Sequence, residues 1–184
     1  MLLRWNLSPG GYYLVVCRLE PENHVREILE GLSQSSSTRT MIVVGNDQAP
    51  TAYVSSLKRI ADSRIRFLGT IYDQAQLQAL RFHALAYCHG HSVGGTNPSL
   101  LEALGCGNAV LAHDNVFNRE VARDAALYFG TAAEFRSVLE RFEQDGPGRA
   151  RMRERAREIV RADYTWDGIA QRYAALIDEE RAQS

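Results

Sequence analysis

The stretch from His89 to Glu102 (His-Gly-His-Ser-Val-Gly-Gly-Thr-Asn-Pro-Ser-Leu-Leu-Glu) gathers residue types that suit anion binding. Gly94 and Gly95 let a backbone come close to a ligand, Thr96 or Asn97 can cap a helix, and Pro98 suits a first helical position, where its missing N–H costs nothing. A strand end, a glycine turn and a helix start in this order leave free amides to face a phosphate. One turn later stands Glu102, a single carboxylate among Leu100, Leu101, Ala103 and Leu104. On a covered face it requires a hydroxyl or a cation as partner. A diphosphate beside a polyhydroxylated group meets both demands, which points to a nucleotide sugar.

Arg18 directly follows the apolar run Tyr12 to Cys17, where a guanidinium at a strand end can hold phosphate oxygens in a two-pronged hydrogen bond. Alone, such an arginine is more often a surface ion-pair partner; its place on the same sheet edge as the glycine loop reverses that preference toward the phosphate. His89 and His91 form an H-x-H pair, but no Cys, Asp or Glu cluster stands near them in sequence, so metal ligation is not expected. His91 reads as a donor to phosphate or sugar, with a solvated loop histidine as the plain alternative.

The elements that must position these residues alternate. Strands are expected at Tyr12–Cys17, Thr40–Val44, Arg64–Leu68, Ala84–Cys88, Ala109–Ala112 and Leu127–Phe129, from their short apolar, β-branched and aromatic runs. Between them, helical spacing such as Val25, Ile28, Leu29 and Leu32 places helices, including 51–61, 73–82 and 97–105 and a short one after Asn115. Further helices are expected over 132–143, 149–161 and 165–180, with Gly146-Pro147-Gly148 as a break between two of them. Strands separated by helices predict an α/β fold: a Rossmann-like parallel sheet with helices on both faces. Ligands then bind beyond the carboxyl ends of the strands, so the loops after Cys17, Gly45, Leu68, Cys88 and Ala112 share one crevice.

The chain has 184 residues, 45% hydrophobic and 23% charged, and reads as a single well-cored domain over 1–184. Its formal net charge of −1 offers no overall attraction to nucleic acid or anionic lipid. Cys17, Cys88 and Cys106 are odd in number and sit among apolar residues, as free thiols of a reducing compartment do. No stretch approaches the ~20 apolar residues of a membrane span, so a cytoplasmic location is expected. The arginine-rich run 149–161, interleaved with Glu154 and Glu158, reads as a solvated helix, and Trp166, Ile169, Tyr173, Leu176 and Ile177 as one helical stripe. Glu120, in the segment Asn118-Arg119-Glu120, reads as a dipole or capping residue without a catalytic role. The first strand begins so near the start that little room is left for a preceding element, as in a fragment of a longer protein.

Three segments together resemble the carboxyl-terminal, donor-binding half of the GT-B glycosyltransferases of the retaining family 4 group: Tyr13–Glu22, Arg64–Thr70 and His89–Leu104. The phrase from His89 to Ser99 further resembles the branch that includes bacterial rhamnosyltransferases of surface-polysaccharide assembly. The resemblance implies one half of a GT-B fold that binds a nucleotide-diphosphate sugar and transfers the sugar with retention, without a metal or cofactor. It gives Glu102 the role of holding the ribose hydroxyls and Arg18 that of contacting the leaving diphosphate, the two catalytic assignments. Amides around Gly95, Thr96 and Asn97 would hold phosphate and sugar, the backbone of Phe67, Leu68 and Gly69 would contact the base, and Tyr72 would stack on it. Implied partners are the donor, an absent amino-terminal acceptor domain, and a glycan or lipid-linked glycan acceptor at the inner face of the membrane.

Two positions depart from the family pattern. Gly94 stands where the first glutamate of the E-x7-E signature belongs, and Asn23 where a lysine follows the arginine. Charge neutralisation is weaker as a result, with Arg66 and Arg81 as candidate replacements. A nucleotide-sugar epimerase of GT-B architecture remains as an alternative, as does a non-catalytic α/β binding module, although a receiver-like module would need aspartates where this chain has Arg18 and Glu20.

Overall fold

The computed structural model describes residues 2–182. Strands β1 (Tyr12–Val16), β2 (Thr40–Val44), β3 (Ile65–Phe67), β4 (Ala86–His89), β5 (Val110–His113) and β6 (Ala126–Phe129) form one sheet in the order β3-β2-β1-β4-β5-β6, with every pairing parallel. The helices are α1 (Val25–Ser33), α2 (Ala52–Ile60), α3 (Gln74–His83), α4 (Pro98–Gly105), α5 (Val116–Ala122), α6 (Ala132–Gln144), α7 (Gly146–Asp163) and α8 (Trp166–Ala182). This is the expected Rossmann-like layering.

Both faces of the sheet are covered, which explains why β1 and β2 are apolar at nearly every position instead of alternating. Tyr13 and Val15 face a core built with α1, α2 and α6, from Ile28, Leu29, Leu57, Phe135 and Phe142. Tyr12 and Leu14 face the opposite core, built with α3, α4 and α7 from Leu80, Leu100, Leu104 and Ile159. Strand order reverses between β1 and β4, the place where adjacent loops leave in opposite directions and open a crevice.

Several boundaries differ from expectation, three of them with consequences for the architecture. Ala84 ends α3, its N–H donating to the carbonyls of Leu80 and Arg81, so β4 starts later and takes in His89. Gly146-Pro147-Gly148 is no break but the first turn of α7, where Asp145 caps the Gly148 N–H at 2.7 Å; proline at a first helical turn loses no bond. A 3-10 turn, Leu2–Trp5, precedes β1 and buries Leu2, with Leu7 beyond it, in the α3 side core.

The arginines of α7 are less free than a solvated helix suggests: Arg149 donates to the carbonyls of Phe142 and Glu143, Arg153 to that of Ala84, and Arg155 pairs with Asp124. Cys17, Cys88 and Cys106 are free thiols. Trp166, Tyr173, Leu176 and Ile177 of α8 are exposed. Among the described residues, no helix is long and apolar enough to cross a membrane.

Candidate functional site

Two cavities meet at the β1/β4 crevice. The smaller, of about 270 Å³, is lined by Val16 and Arg18 at the end of β1, Tyr87 and His89 of β4, and Asn97 and Ser99 at the start of α4. The wider, of about 400 Å³, shares Arg18 and Ser99 and adds Gly45 and Asn46 after β2 and Thr70 and Ile71 after β3. Arg18 thus stands between them, its side chain largely exposed and its Nη1 3.2 Å from a Glu20 carboxylate oxygen. A salt bridge this exposed is weak, so the guanidinium remains available to an anion.

The loops after β1 and β4 are joined by Asn23, only 5% exposed. Its Nδ2 donates to the Arg18 carbonyl at 2.8 Å, and its Oδ1 lies 2.8 Å from His91 Nδ1. With the amide so oriented, His91 gives its Nδ1 proton to Asn23, and the other nitrogen of a neutral ring is an acceptor. His91, held through Nδ1, lines the smaller cavity, where the sequence places it as a donor to phosphate or sugar. The position that departs from the family's lysine is therefore a strut between the loops that carry Arg18 and His91. Gly90 completes the joint, because a Cβ there would lie 1.9 Å from the Asn23 carbonyl oxygen. Asn115 and Asn118 donate to the His91 carbonyl, and the Ser92 N–H donates to that of Glu22.

In the glycine turn, Gly94 has φ +81°, a left-handed conformation that a side chain would strain. Asn97 caps α4 as expected, its Oδ1 accepting from the Ser99 N–H at 2.9 Å, while the Leu100 N–H bonds to the Asn97 carbonyl. The first-turn amides of α4 are consequently engaged. The amides of Gly94, Gly95, Thr96 and Asn97 instead have no hydrogen-bond partner among the described residues. The open donors thus belong to the turn and not to the helix.

Glu102 lies elsewhere. Its carboxylate sits 2.5 Å from Arg81 Nη2 and lines a separate cavity of about 280 Å³ between α3 and α4, with Gln74 and Gln78. Arg81 is 2% exposed and Glu102 48%. The partner demanded of a carboxylate on this face is therefore a cation of the protein itself, and Arg81, held by it, does not serve as a phosphate ligand. Arg66 lines neither crevice cavity.

The segment expected to contact a base is also partly engaged. Phe67 packs against the core, the Leu68 N–H donates to the Val43 carbonyl, and the Gly69 carbonyl accepts from the Gly45 N–H. Tyr72 is 87% exposed and lines neither crevice cavity, which Thr70 and Ile71 wall instead. Asn23, His89, Thr70, Ile71 and Ser99 were not read from sequence as site residues. Burial pushes the His89 pKa down to about 3, and burial together with neighbouring His24 lowers that of His113. No group of three or more His, Cys, Asp or Glu side chains able to hold a metal ion occurs among the described residues.

The profile of the family described as "Glycosyl transferases group 1" matches residues 8–159. No curated protein matches the chain. Among solved structures, it is similar to Anabaena HepE in complex with UDP (19% identity, TM-score 0.83), covering 97% of this chain and 51% of that one. It is similar to sucrose-phosphate synthase from Thermosynechococcus elongatus (18%, TM-score 0.79), covering 100% and 49%. It is also similar to the C-terminal domain of a glycosyl transferase group 1 family protein, LpcC, from Francisella tularensis (17%, TM-score 0.71), covering 86% and 88%. The chain spans about half the length of the first two and most of the isolated carboxyl-terminal domain.

Proposed function

Because this chain belongs to the group 1 glycosyl transferases, we propose that it is the donor-binding domain of such an enzyme and takes a nucleotide-diphosphate sugar in the β1/β4 crevice. The observation that carries this reading is the pairing of Arg18, shared by both cavities, with a turn whose amides at 94–97 have no internal partner. A two-pronged arginine and a run of unpartnered N–H groups suit a diphosphate, and both would stabilise the charge that builds on it as the sugar departs. The wider cavity takes the base, and the UDP held by HepE supports this class of ligand.

Glu102 stands one turn after Ser99 on the same side of α4, so a ribose extending along that helix reaches the half-exposed carboxylate beside Arg81. Transfer proceeds with retention and without a metal, onto a glycan or lipid-linked glycan held by an amino-terminal domain. The His89–Ser99 phrase supports surface-polysaccharide synthesis and rhamnose as the sugar.

Calorimetric titration of the chain with UDP, dTDP and GDP tests the reading. One of the three binds to the wild type, and Arg18→Ala weakens it about tenfold, the effect of ~1.4 kcal/mol expected for a charge-assisted hydrogen bond. Absence of binding by all three, or equal binding by Arg18→Ala, would overturn it.

A further inference from the structure

Among the described residues, Arg18 is the only lysine or arginine in the walls of either crevice cavity. A diphosphate that joins a nucleoside to a sugar carries a negative charge on each phosphate, and one guanidinium neutralises only half of that. The other candidate for a positive charge in these walls is His91, which lines the smaller cavity with Arg18 and Asn23.

The ring of His91 is held in one sense. Its Nδ1 lies 2.8 Å from Asn23 Oδ1, and the Asn23 amide cannot be turned round, because its Nδ2 donates to the Arg18 carbonyl at 2.8 Å and an oxygen there would meet another oxygen. Nδ1 therefore keeps the proton shared with Asn23, and Nε2 is the nitrogen left for a ligand. Nε2 has no hydrogen-bond partner among the described residues and, unlike Nε2 of His89, is not closed off from solvent. A neutral ring so held offers only an acceptor at Nε2, and phosphate oxygens only accept; contact between them requires a second proton. Imidazole is the side chain whose charge changes between about pH 5 and 8.

The groups around His91 bear on that proton in both directions. Arg18 and Glu22 stand on the loop after β1 and His89 at the end of β4; Ser92, the next residue, bonds His24 before α1, whose ring stacks on His113 of β5 at 3.9 Å. A bond from its own N–H, with Arg18 and His91 contributing, holds the Glu22 carboxyl below the usual carboxylate range, so at neutral pH it is an anion that favours a charged His91. His89 stays uncharged through burial. Arg18 opposes a second positive charge, and a bound diphosphate offsets that opposition.

We infer that His91 is the second cation of the site: its ring takes a proton from solvent as the donor binds, and Nε2–H then donates to the diphosphate that Arg18 holds, so that binding is coupled to proton uptake. This inference rests on the nucleotide-sugar reading.

The test uses UDP-glucose, GDP-mannose and dTDP-rhamnose, because a diphosphate esterified at both ends has no proton of its own to exchange near neutrality. Titration calorimetry in buffers of different ionisation enthalpy counts the protons taken up. For the sugar nucleotide that binds, roughly half a proton or more is taken up at pH 7, and affinity rises about tenfold from pH 8 to pH 6, the effect of one charge-assisted hydrogen bond. His91→Gln, which donates without titrating, loses both the uptake and the pH dependence, whereas His24→Gln keeps them. Should His91→Gln not fold, the ring-nitrogen shifts of His91 in the isotope-labelled wild type give the same answer: the complex shows both nitrogens protonated at pH 7. Wild-type binding without proton uptake, or uptake that survives in His91→Gln or disappears in His24→Gln, overturns the inference and leaves the nucleotide-sugar reading intact. Failure of the wild type to bind any of the three between pH 6 and 8 overturns that reading, and the inference with it.

Discussion

Replacing Glu102 by alanine tests its structural role beside Arg81. The change leaves the Arg81 guanidinium, 2% exposed and with Nε already unpartnered, without the carboxylate 2.5 Å away. Removing one partner of a fully buried ion pair costs roughly 3–5 kcal/mol. Here the carboxylate is 48% exposed, so water reaches part of the space it leaves; a cost of about 2–3 kcal/mol follows after that discount. At about 2–4 °C per kcal/mol for a domain of this size, Tm should fall by roughly 4–12 °C. Adding Arg81→Met removes the stranded charge, so the double variant should be more stable than Glu102→Ala alone, because replacing both partners of a buried pair with apolar groups is close to neutral. Thermal unfolding followed by circular dichroism on the four proteins decides this. A Tm for Glu102→Ala within about 1 °C of wild type would refute the reasoning, since even ~1 kcal/mol moves it further. So would a double variant that loses the sum of the single effects.

Two further outcomes follow from the same geometry. Gly90→Ala pushes a methyl to 1.9 Å from the Asn23 carbonyl oxygen, so the loops after β1 and β4 must separate; a loss of roughly 1–3 kcal/mol in urea unfolding is expected, and unchanged stability would contradict the joint. For pH, the His89 pKa of about 3 in the folded chain lies below its unfolded value near 6.5. The unfolded state therefore takes up the proton first: stability is fully present above about pH 6.5 and declines as pH falls toward 3, at up to about 1.4 kcal/mol per pH unit. His89→Phe should flatten that decline by one proton's share, and an identical slope in both proteins would count against the burial of a neutral ring.

Most of the framework was legible because it depends on local patterns. Continuous apolar runs such as Met41–Val44 have one stable placement, between two helical layers, and Asn97-Pro98 marks a helix start by cap and fixed φ. What escaped depends on residues far apart in sequence. His89 reads as the edge of a glycine turn until α4 folds over it. Asn23 reads as a polar loop residue, although its amide finds His91 68 positions away. The partner of Glu102 was known to be a hydroxyl or a cation, but that Arg81 on α3 fills the role follows only from how α3 packs beside α4. Likewise, the Gly69 carbonyl reads as free in sequence, yet β2 and β3 end side by side and the Gly45 N–H donates to it.

The central claim is that a diphosphate is held between Arg18 and the unpartnered amides of the 94–97 turn. Amide chemical shifts of the isotope-labelled chain, followed while the nucleoside diphosphate that binds is added and compared with its bare nucleoside, test it most directly. The account predicts saturable shifts at Arg18 and at Gly94, Gly95, Thr96 and Asn97 with the diphosphate, and none in the 94–97 turn with the nucleoside. Shifts confined to the α3/α4 cavity around Gln74, Gln78 and Glu102, with the turn silent, would contradict it.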